Sequence, residues 1–187
     1  ITIAGRLIGG VNPAFIVAEI GNNHQGDVDQ AELLIAAASR AGVDAVKLQK
    51  RDNRTLYTQA EYEAPYTDEH AFAPTYGAHR DFLEFDFGEY QHLKAHAESF
   101  GLVFFATAFD VPSVEFLANL GAPVIKIGSG QVTNASVLRA AAQVGVPLIV
   151  STGGCSLEDI DRTVSILYGY GTKFALMHAV SIYPCPA

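Results

Sequence analysis

What this chain has little of narrows the field before any motif is read. Lys and Arg number 12 against 20 Asp and Glu, a formal net charge of −8. So few cations supply no broad basic face, which argues against a nucleic-acid partner. Any anion site must then be built locally, from lysines, hydroxyls and backbone N–H groups. No apolar run approaches the ~18–20 residues of a membrane span, so no membrane partner is expected. The opening residues, Ile1 to Arg6, lack the basic-then-apolar pattern of a secretory signal. They also lack Met, so further residues are expected upstream. Only two cysteines are present, Cys155 and Cys185, without metal-ligand spacing. Without a secretory signal they read as thiols in a reducing compartment, so a cytoplasmic location is expected.

What is present reads as globular. The chain has 187 residues, 49% hydrophobic and 17% charged, enough for one domain with a sizeable core. Apolar strand candidates fall at 15–20, 45–49, 102–109, 124–127, 148–150 and 174–180. Amphipathic helix candidates fall at 31–41, 88–99, 113–120, 136–143 and 157–168. Gly42, Gly101, Gly121, Gly145 and Gly171 each close a helix just before the next strand. Repeated helix, glycine and apolar strand make βαβ units and a parallel sheet. Residues 1–12 are expected to form a short hairpin that could cap the bottom of a barrel. The 49–88 interval breaks the rhythm. It carries Tyr57, Tyr62, Tyr66, His70, Tyr76 and His79 and reads as an ordered lid or as a plain surface loop.

Two layouts fit: a TIM barrel, or an open doubly wound sheet with a site at its switch point. The turn after the first strand, Gly21 to Gly26, does not match the G-x-G-x-x-G that a dinucleotide-binding sheet should carry. Polar residues end all six strands, which favours the barrel. They are Glu19 and Asn23; Lys47, Gln49 and Lys50; Thr107 and Asp110; Lys126, Ser129 and Gln131; Ser151 and Thr152; His178, Ser181 and Tyr183. A TIM barrel needs eight strands in about 250 residues. The expectation is a single (β/α)8 domain over 1–187 with about six βα units, ending before strands seven and eight.

Lys47 and Lys126 carry the strongest chemical signal. Each interrupts an apolar strand, A-V-K-L-Q and V-I-K-I-G-S-G. Burying an unpaired ammonium costs several kcal/mol or forces its pKa down, so such lysines need an anionic partner or a chemical task. Lys126-Ile127-Gly128-Ser129-Gly130 suits a phosphate, and Ser151-Thr152-Gly153-Gly154 repeats the hydroxyl–glycine theme. The alternative is two tight βα turns. Glu19 could orient a sugar hydroxyl or handle a proton. Alternatively its loop only caps the next helix through Asp27 or Asp29. His24 is a weaker site candidate than Glu19. Thr107 could add a hydroxyl, Asp110 reads equally as a helix N-cap, and His178 reads as a core histidine.

Seven segments together resemble the N-acetylneuraminate (sialic acid) synthase family, including the related spore-coat polysaccharide synthases. They are F-I-V-A-E-I-G-N-N-H-Q-G (15–26), A-V-K-L-Q-K-R (45–51), T-Y-G-A-H-R-D-F-L-E-F (75–85), A-T-A-F-D (106–110), K-I-G-S-G (126–130), S-T-G-G (151–154) and H-A-V-S-I-Y-P (178–184). The resemblance implies a TIM barrel that condenses phosphoenolpyruvate with an acyl-amino sugar such as N-acetylmannosamine. The product is a nine-carbon 2-keto sugar acid, with phosphate released. By resemblance, Lys47, Thr107, Lys126, Ser129 and Ser151 would hold phosphoenolpyruvate. Glu19, Ser181 and Tyr183 would serve the sugar and the reacting carbon, with Glu19, Lys47 and Lys126 the catalytic set.

The resemblance further implies a divalent metal, Mn2+ or Mg2+, whose ligands come from strands outside this chain, so no metal ligand is expected here. It also implies a homodimer when full length, and a C-terminal antifreeze-like domain that is expected to lie outside these 187 residues. This chain alone is accordingly not expected to be active. Gln131, also placed at the substrate, departs from the acidic residue usual after K-I-G-S-G. That departure bears on proton handling and on activity itself. Ser181 stands where many bacterial members carry Asn. A Schiff-base aldolase using Lys126 or Lys47, and a non-catalytic binding relative, are the competing readings.

Overall fold

The chain opens on a hairpin. In the computed structural model, which describes residues 1–182 with Pro184 and Cys185, β1 (Thr2–Ile3) pairs antiparallel with β2 (Arg6–Leu7). Ala4 and Gly5 between them have φ of 47° and 81°, the positive pair that a two-residue turn uses to match strand twist. The chain divides into two compact units, one of Phe15–Phe104 and one joining Ile1–Ala14 to Phe105–Ala187.

The Phe15–Phe104 unit contains β3 (Val17–Gly21), α1 (Val28–Arg40), β4 (Ala45–Lys50), α2 (Asn53–Leu56), α3 (Gln59–Tyr62), α4 (Tyr76–Phe82) and α5 (Phe87–Ser99). Asp27 starts α1 by accepting from Gln30 N at 3.1 Å, one of the two caps the sequence suggested. The helix therefore begins earlier than the expected 31–41. It buries Ala31, Ile35 and Ala38 and packs against α5, which buries Tyr90, Leu93 and Ala97. Fully burying a side chain such as Ile35 or Leu93 contributes ~1.5–3 kcal/mol. β4 is buried from Ala45 through Leu48, as a parallel strand covered on both faces should be. Asp86 and Glu89 form a capping box at the start of α5.

The interval read as a lid or loop is ordered by rings. Tyr57 and Tyr66 both meet Tyr76 edge-on at 5.1 and 5.4 Å, and Phe72 stacks on His79 and Phe82. Its three short helices escaped the periodicity test because each spans only one or two turns. The Tyr62 hydroxyl and Asn53 Nδ2 both donate to Asp81, tying α2, α3 and α4 together.

The other unit is built on β5 (Val103–Ala108), whose first two residues close the preceding unit. Then come α6 (Val111–Asn119), β6 (Ile125–Ile127), a 3-10 turn (Ser129–Gln131), α7 (Ala135–Gln143), β7 (Leu148–Ser151), α8 (Leu157–Gly169) and β8 (Phe174–Met177). Here strands β5 through β8 pair in chain order and in parallel, without the reversal that a switch point needs. Helix α6 packs on α7 and α7 on α8. Val124, Ile125, Ile127, Leu138, Leu148 and Leu167 form the core of this layer. All five expected helix-closing glycines have positive φ, from 67° to 83°.

One expectation is corrected. The sixth strand ends at Met177, not at 180, and His178 lies beyond it, exposed rather than in the core. The partner strand ends first: β7 stops at Ser151, Thr152 makes the last ladder bond to the Met177 carbonyl through its N–H (3.2 Å), reinforced by its hydroxyl (3.0 Å), and the Gly153 N–H then turns to Ser129 Oγ. Tyr183, Pro186 and Ala187 lie outside the described residues. The described pairings among β3 to β8 are parallel, so the class is α/β, six parallel strands with helices between them. No helix among the described residues is long and apolar enough to cross a membrane.

Candidate functional site

In the first unit, strand register puts Glu19 opposite Lys47. Partners across a parallel pair point to the same face, so the two side chains meet as an ion pair of 2.5 Å. Only 8% of the Lys47 side chain is exposed against 52% of Glu19. The pair is therefore a buried cation held by a carboxylate at the solvent edge. Burial pushes the Lys47 pKa below its ordinary value, Glu19 works against that by charge and hydrogen bond, and Arg51 adds to the lowering. Lys47 Nζ also donates to its neighbour's carbonyl, Leu48 O, at 3.4 Å.

Just past Glu19 the register slips at a β-bulge, and Gly21 takes a φ of 58°. A Cβ on Gly21 would sit 3.4 Å from both Gln49 Nε2 and Glu19 Oε1, so the bare backbone lies in contact with the polar row. Arg51 continues that row by donating to Gln49 Oε1 at 2.5 Å. Lys50 turns the other way, to Glu84 at 2.9 Å and to Phe85 O. His24, a weaker candidate from sequence, is buried, stacks on Phe85 at 4.2 Å, and accepts from Gly26 N at 3.1 Å. Burial lowers its pKa to about 4, with a bond to the Gly21 carbonyl opposing. It is a neutral core side chain that shapes the β3–α1 loop.

In the second unit, register aligns Thr107 with Lys126, and both point to one face. Thr107 is buried and Lys126 half-buried, with Lys126 Nζ donating to Ile127 O at 3.3 Å. A Cβ on Gly128 would rest 3.6 Å from Thr107 Cγ2, so Thr107 also lines the turn after β6. Gly153 gathers the remaining hydroxyls. Its N–H donates to Ser129 Oγ at 3.0 Å, and a Cβ there would collide with Ser181 Oγ and lie 3.0 Å from Ser129 Oγ and Ala179 O. Ser129, Gly153 and Ser181, from three successive strand ends, therefore converge. Ser151, buried at the end of β7, stands two residues before this point. Thr163 of α8 donates to Val132 O at 2.7 Å and pins the loop from behind.

Gln131 ends the 3-10 turn, and its orientation is set by its neighbour. Asn134 caps α7 by accepting from Ser136 N and Val137 N through Oδ1, so its Nδ2 is the donor, and it meets Gln131 Oε1 at 2.9 Å. The free end of Gln131 is therefore its NH2 group, a donor. Asp110 is the N-cap of α6, the role its position also suggested, accepting from Ser113 N at 2.8 Å. Tyr183, placed at the substrate by resemblance, lies outside the described residues. Sequence reading missed Gly153 as the meeting point and the Gln131–Asn134 bond. Both depend on where successive strand ends come together, which no local pattern carries.

The divalent metal implied by resemblance has no home among the described residues. No three His, Cys, Asp or Glu side chains gather in a metal-binding arrangement. Neither cysteine forms a disulfide.

Parallel strands with lysines, hydroxyls and glycines at their ends define an α/β protein with polar strand termini. The chain belongs to the NeuB family, whose model matches residues 34–187. It is 41% identical over 183 residues to N-acetylneuraminate-9-phosphate synthase of Drosophila melanogaster, covering 97% of this chain and 48% of that one. It is 36% identical over 195 residues to N,N'-diacetyllegionaminic acid synthase of Legionella pneumophila, covering 97% and 54%. A crystal structure of N-acetylneuraminic acid (sialic acid) synthetase from Leptospira borgpetersenii serovar Hardjo-bovis superimposes with a TM-score of 0.86 at 34% identity. It covers 100% of this chain and 61% of that one. The chain spans about half the length of the curated relatives it matches.

Proposed function

We propose that the full-length protein condenses phosphoenolpyruvate with an acyl-amino sugar on a closed (β/α)8 barrel, working as a homodimer. Its product is a nine-carbon 2-keto sugar acid of the sialic-acid type. The methylene carbon of phosphoenolpyruvate bonds to the sugar's aldehyde carbon, water supplies the keto oxygen, and inorganic phosphate leaves. The observation that carries the reading is the convergence of Ser129, Gly153 and Ser181 beside the register pair Thr107–Lys126. Phosphoenolpyruvate has a phosphate and a carboxylate. A half-buried ammonium, three hydroxyls and turn N–H groups are what such an anion needs, and they act most strongly where water is scarce.

Lys126 supplies the charge and Thr107, Ser129 and Ser151 the hydrogen bonds. In the Phe15–Phe104 unit Lys47 supplies a cation of its own, and Glu19, at the solvent edge, orients a sugar hydroxyl or accepts a proton. Gln131 presents a donor to the ligand. Tyr183 and Ser181 serve the sugar side. Phosphate release from phosphoenolpyruvate, measured with N-acetylmannosamine and Mn2+ or Mg2+, tests the reading. Release that requires the sugar supports it, and release without sugar, or none across a panel of acylated amino sugars, counts against it.

A Schiff-base aldolase is the second reading, favoured by the burial of Lys47 and its lowered pKa. Borohydride trapping with a keto substrate separates the two, because a covalent adduct at Lys47 or Lys126 belongs only to the aldolase. The sugar's own state is open to a narrower reading. The Drosophila relative is named for a 9-phosphate product. Because phosphoenolpyruvate contributes three carbons, carbon 9 of a nine-carbon product is the last carbon of the sugar.

A further inference from the structure

We infer that the cavity where the loops entering β7 and β8 meet β1 is a binding site for a small organic carboxylate with a flat apolar body, separate from the proposed catalytic site.

The cavity has a volume of about 470 Å3, and every residue lining it belongs to the unit that joins Ile1–Ala14 to Phe105–Ala187. That volume falls in the ~300–1,000 Å3 range of small-molecule sites. Its walls are the residues just before Leu148 and Phe174, which open β7 and β8, together with Thr2 of β1. Ser151 ends β7 at the opposite pole, so about 10 Å of strand separates it from the cavity. In a barrel the chemistry sits at the C-terminal ends of the strands. A ligand at the other end is therefore not a substrate of the proposed condensation.

The walls are held apart and held still. Gly145 and Gly171 turn the chain ahead of the two strands with φ of 83° and 67°, and a Cβ on either would meet nothing within 4 Å. Pro147 O accepts from Ile125 N at 3.2 Å, and Lys173 O accepts from Leu148 N at 2.9 Å. Both loops are thus tied to the sheet, and a ligand enters a site that is already formed.

The lining supplies the chemical identity. Ala142, Val146 and Pro147 make an apolar wall, and the half-exposed Tyr170 adds an aromatic ring on which a flat body can stack. Three polar side-chain groups complete it: the Lys173 ammonium and the hydroxyls of Tyr170 and Thr2. None of the three makes a hydrogen bond or ion pair with another described residue. An ammonium donates and cannot accept, so its charged partner is an anion. No Asp or Glu lines the cavity to compete for Lys173, in a chain whose net charge is −8. One ammonium and two hydroxyls match the single charge and two oxygens of a carboxylate. A phosphate monoester brings nearly twice that charge and a third oxygen.

Calorimetry on the full-length protein tests the site, with indole-3-acetate as probe and 3-methylindole as its counterpart lacking the carboxylate. Wild type is expected to bind indole-3-acetate in the millimolar range or tighter, and saturating phosphoenolpyruvate should leave that binding unchanged. Lys173→Gln should weaken indole-3-acetate by about fivefold, as loss of a solvent-edge ion pair does, and leave 3-methylindole unaffected. Lys173→Arg, which keeps the charge, should bind the probe as wild type does. Tyr170→Leu, which removes the ring, should weaken both compounds. No binding by wild type, equal affinity in wild type and Lys173→Gln, or displacement of the probe by phosphoenolpyruvate would overturn the site. Inorganic phosphate displacing the probe at equal concentration would overturn the carboxylate assignment.

Discussion

The Asn134 amide holds Gln131 in one orientation: its Nδ2 donates to Gln131 Oε1 at 2.9 Å while its Oδ1 caps α7. Gln131 is thus a fixed, neutral donor where related sequences are expected to carry an acid. Gln131→Glu keeps the acceptor that Asn134 needs, so stability should change by less than ~0.5 kcal/mol. If the neutral amide is compatible with turnover, wild type releases phosphate and Gln131→Glu alters the rate by less than tenfold. A wild type that is inert until Gln131→Glu is made would identify a relative that kept the pocket and lost the chemistry.

Two glycines near the proposed phosphoenolpyruvate site should respond unequally to the same methyl group. At Gly153 a Cβ collides with Ser181 Oγ and crowds Ser129 Oγ and Ala179 O, whereas at Gly128 it meets Thr107 Cγ2 at an ordinary 3.6 Å. Gly153→Ala should cost ~1–3 kcal/mol in urea denaturation, the range for overpacking. It should also weaken phosphoenolpyruvate binding at least tenfold. Gly128→Ala should cost under ~1 kcal/mol. Equal tolerance at both positions would remove Gly153 as the meeting point of the hydroxyls.

Buried Lys47 gives the Glu19 substitution a pH signature. The folded pKa of Lys47 lies below its unfolded value of 10.5, so the unfolded chain holds more protons as pH rises between the two. Stability should therefore increase with pH across that window. Glu19→Gln removes the partner that raises this pKa, so the variant should be less stable than wild type at pH 7. The difference should shrink as pH approaches 10.5, where Lys47 loses its charge in both states. Urea midpoints of the two proteins at several pH values check this, and a difference independent of pH would contradict it.

His24 predicts the opposite limb. Its folded pKa is lowered to about 4 from 6.5, so protons bind the unfolded chain first as pH falls. Stability is unaffected by His24 above pH 6.5 and declines between pH 6.5 and about 4, by on the order of 3 kcal/mol. His24→Gln should flatten that decline. A variant as acid-sensitive as wild type would show that another group controls the limb.

Much of this arrangement was legible in the sequence because it is local. Alternation of helix, glycine and apolar strand marked the βα units, and Asp27 marked the start of α1. Lys47 and Lys126 stood out because an ammonium in an apolar strand needs an explanation. What escaped depends on register and on distant neighbours. The Glu19–Lys47 pair follows from which strand lies beside which, and Gly153 matters only because Ser129 and Ser181 come to it. His178 was misread because its apolar neighbours suggested a continuing strand, while the partner strand β7 ends at Ser151 and pairing stops at Met177. The Tyr57–Tyr76 contact was hidden because it joins the residue after one short helix to the start of another, both too short to show a period.

Phosphoenolpyruvate binding by the full-length protein, with wild type beside Lys126→Ala and Lys94→Ala, tests the central claim most directly. Lys94 is paired with Glu98 on α5 and serves as a control. A charge-assisted contact is worth about 1.5–3 kcal/mol, so Lys126→Ala should weaken binding by roughly tenfold or more. Lys94→Ala should leave it unchanged. Phosphoenolpyruvate affinity that is the same in wild type and Lys126→Ala would contradict the assigned role of this lysine, and the proposed function with it.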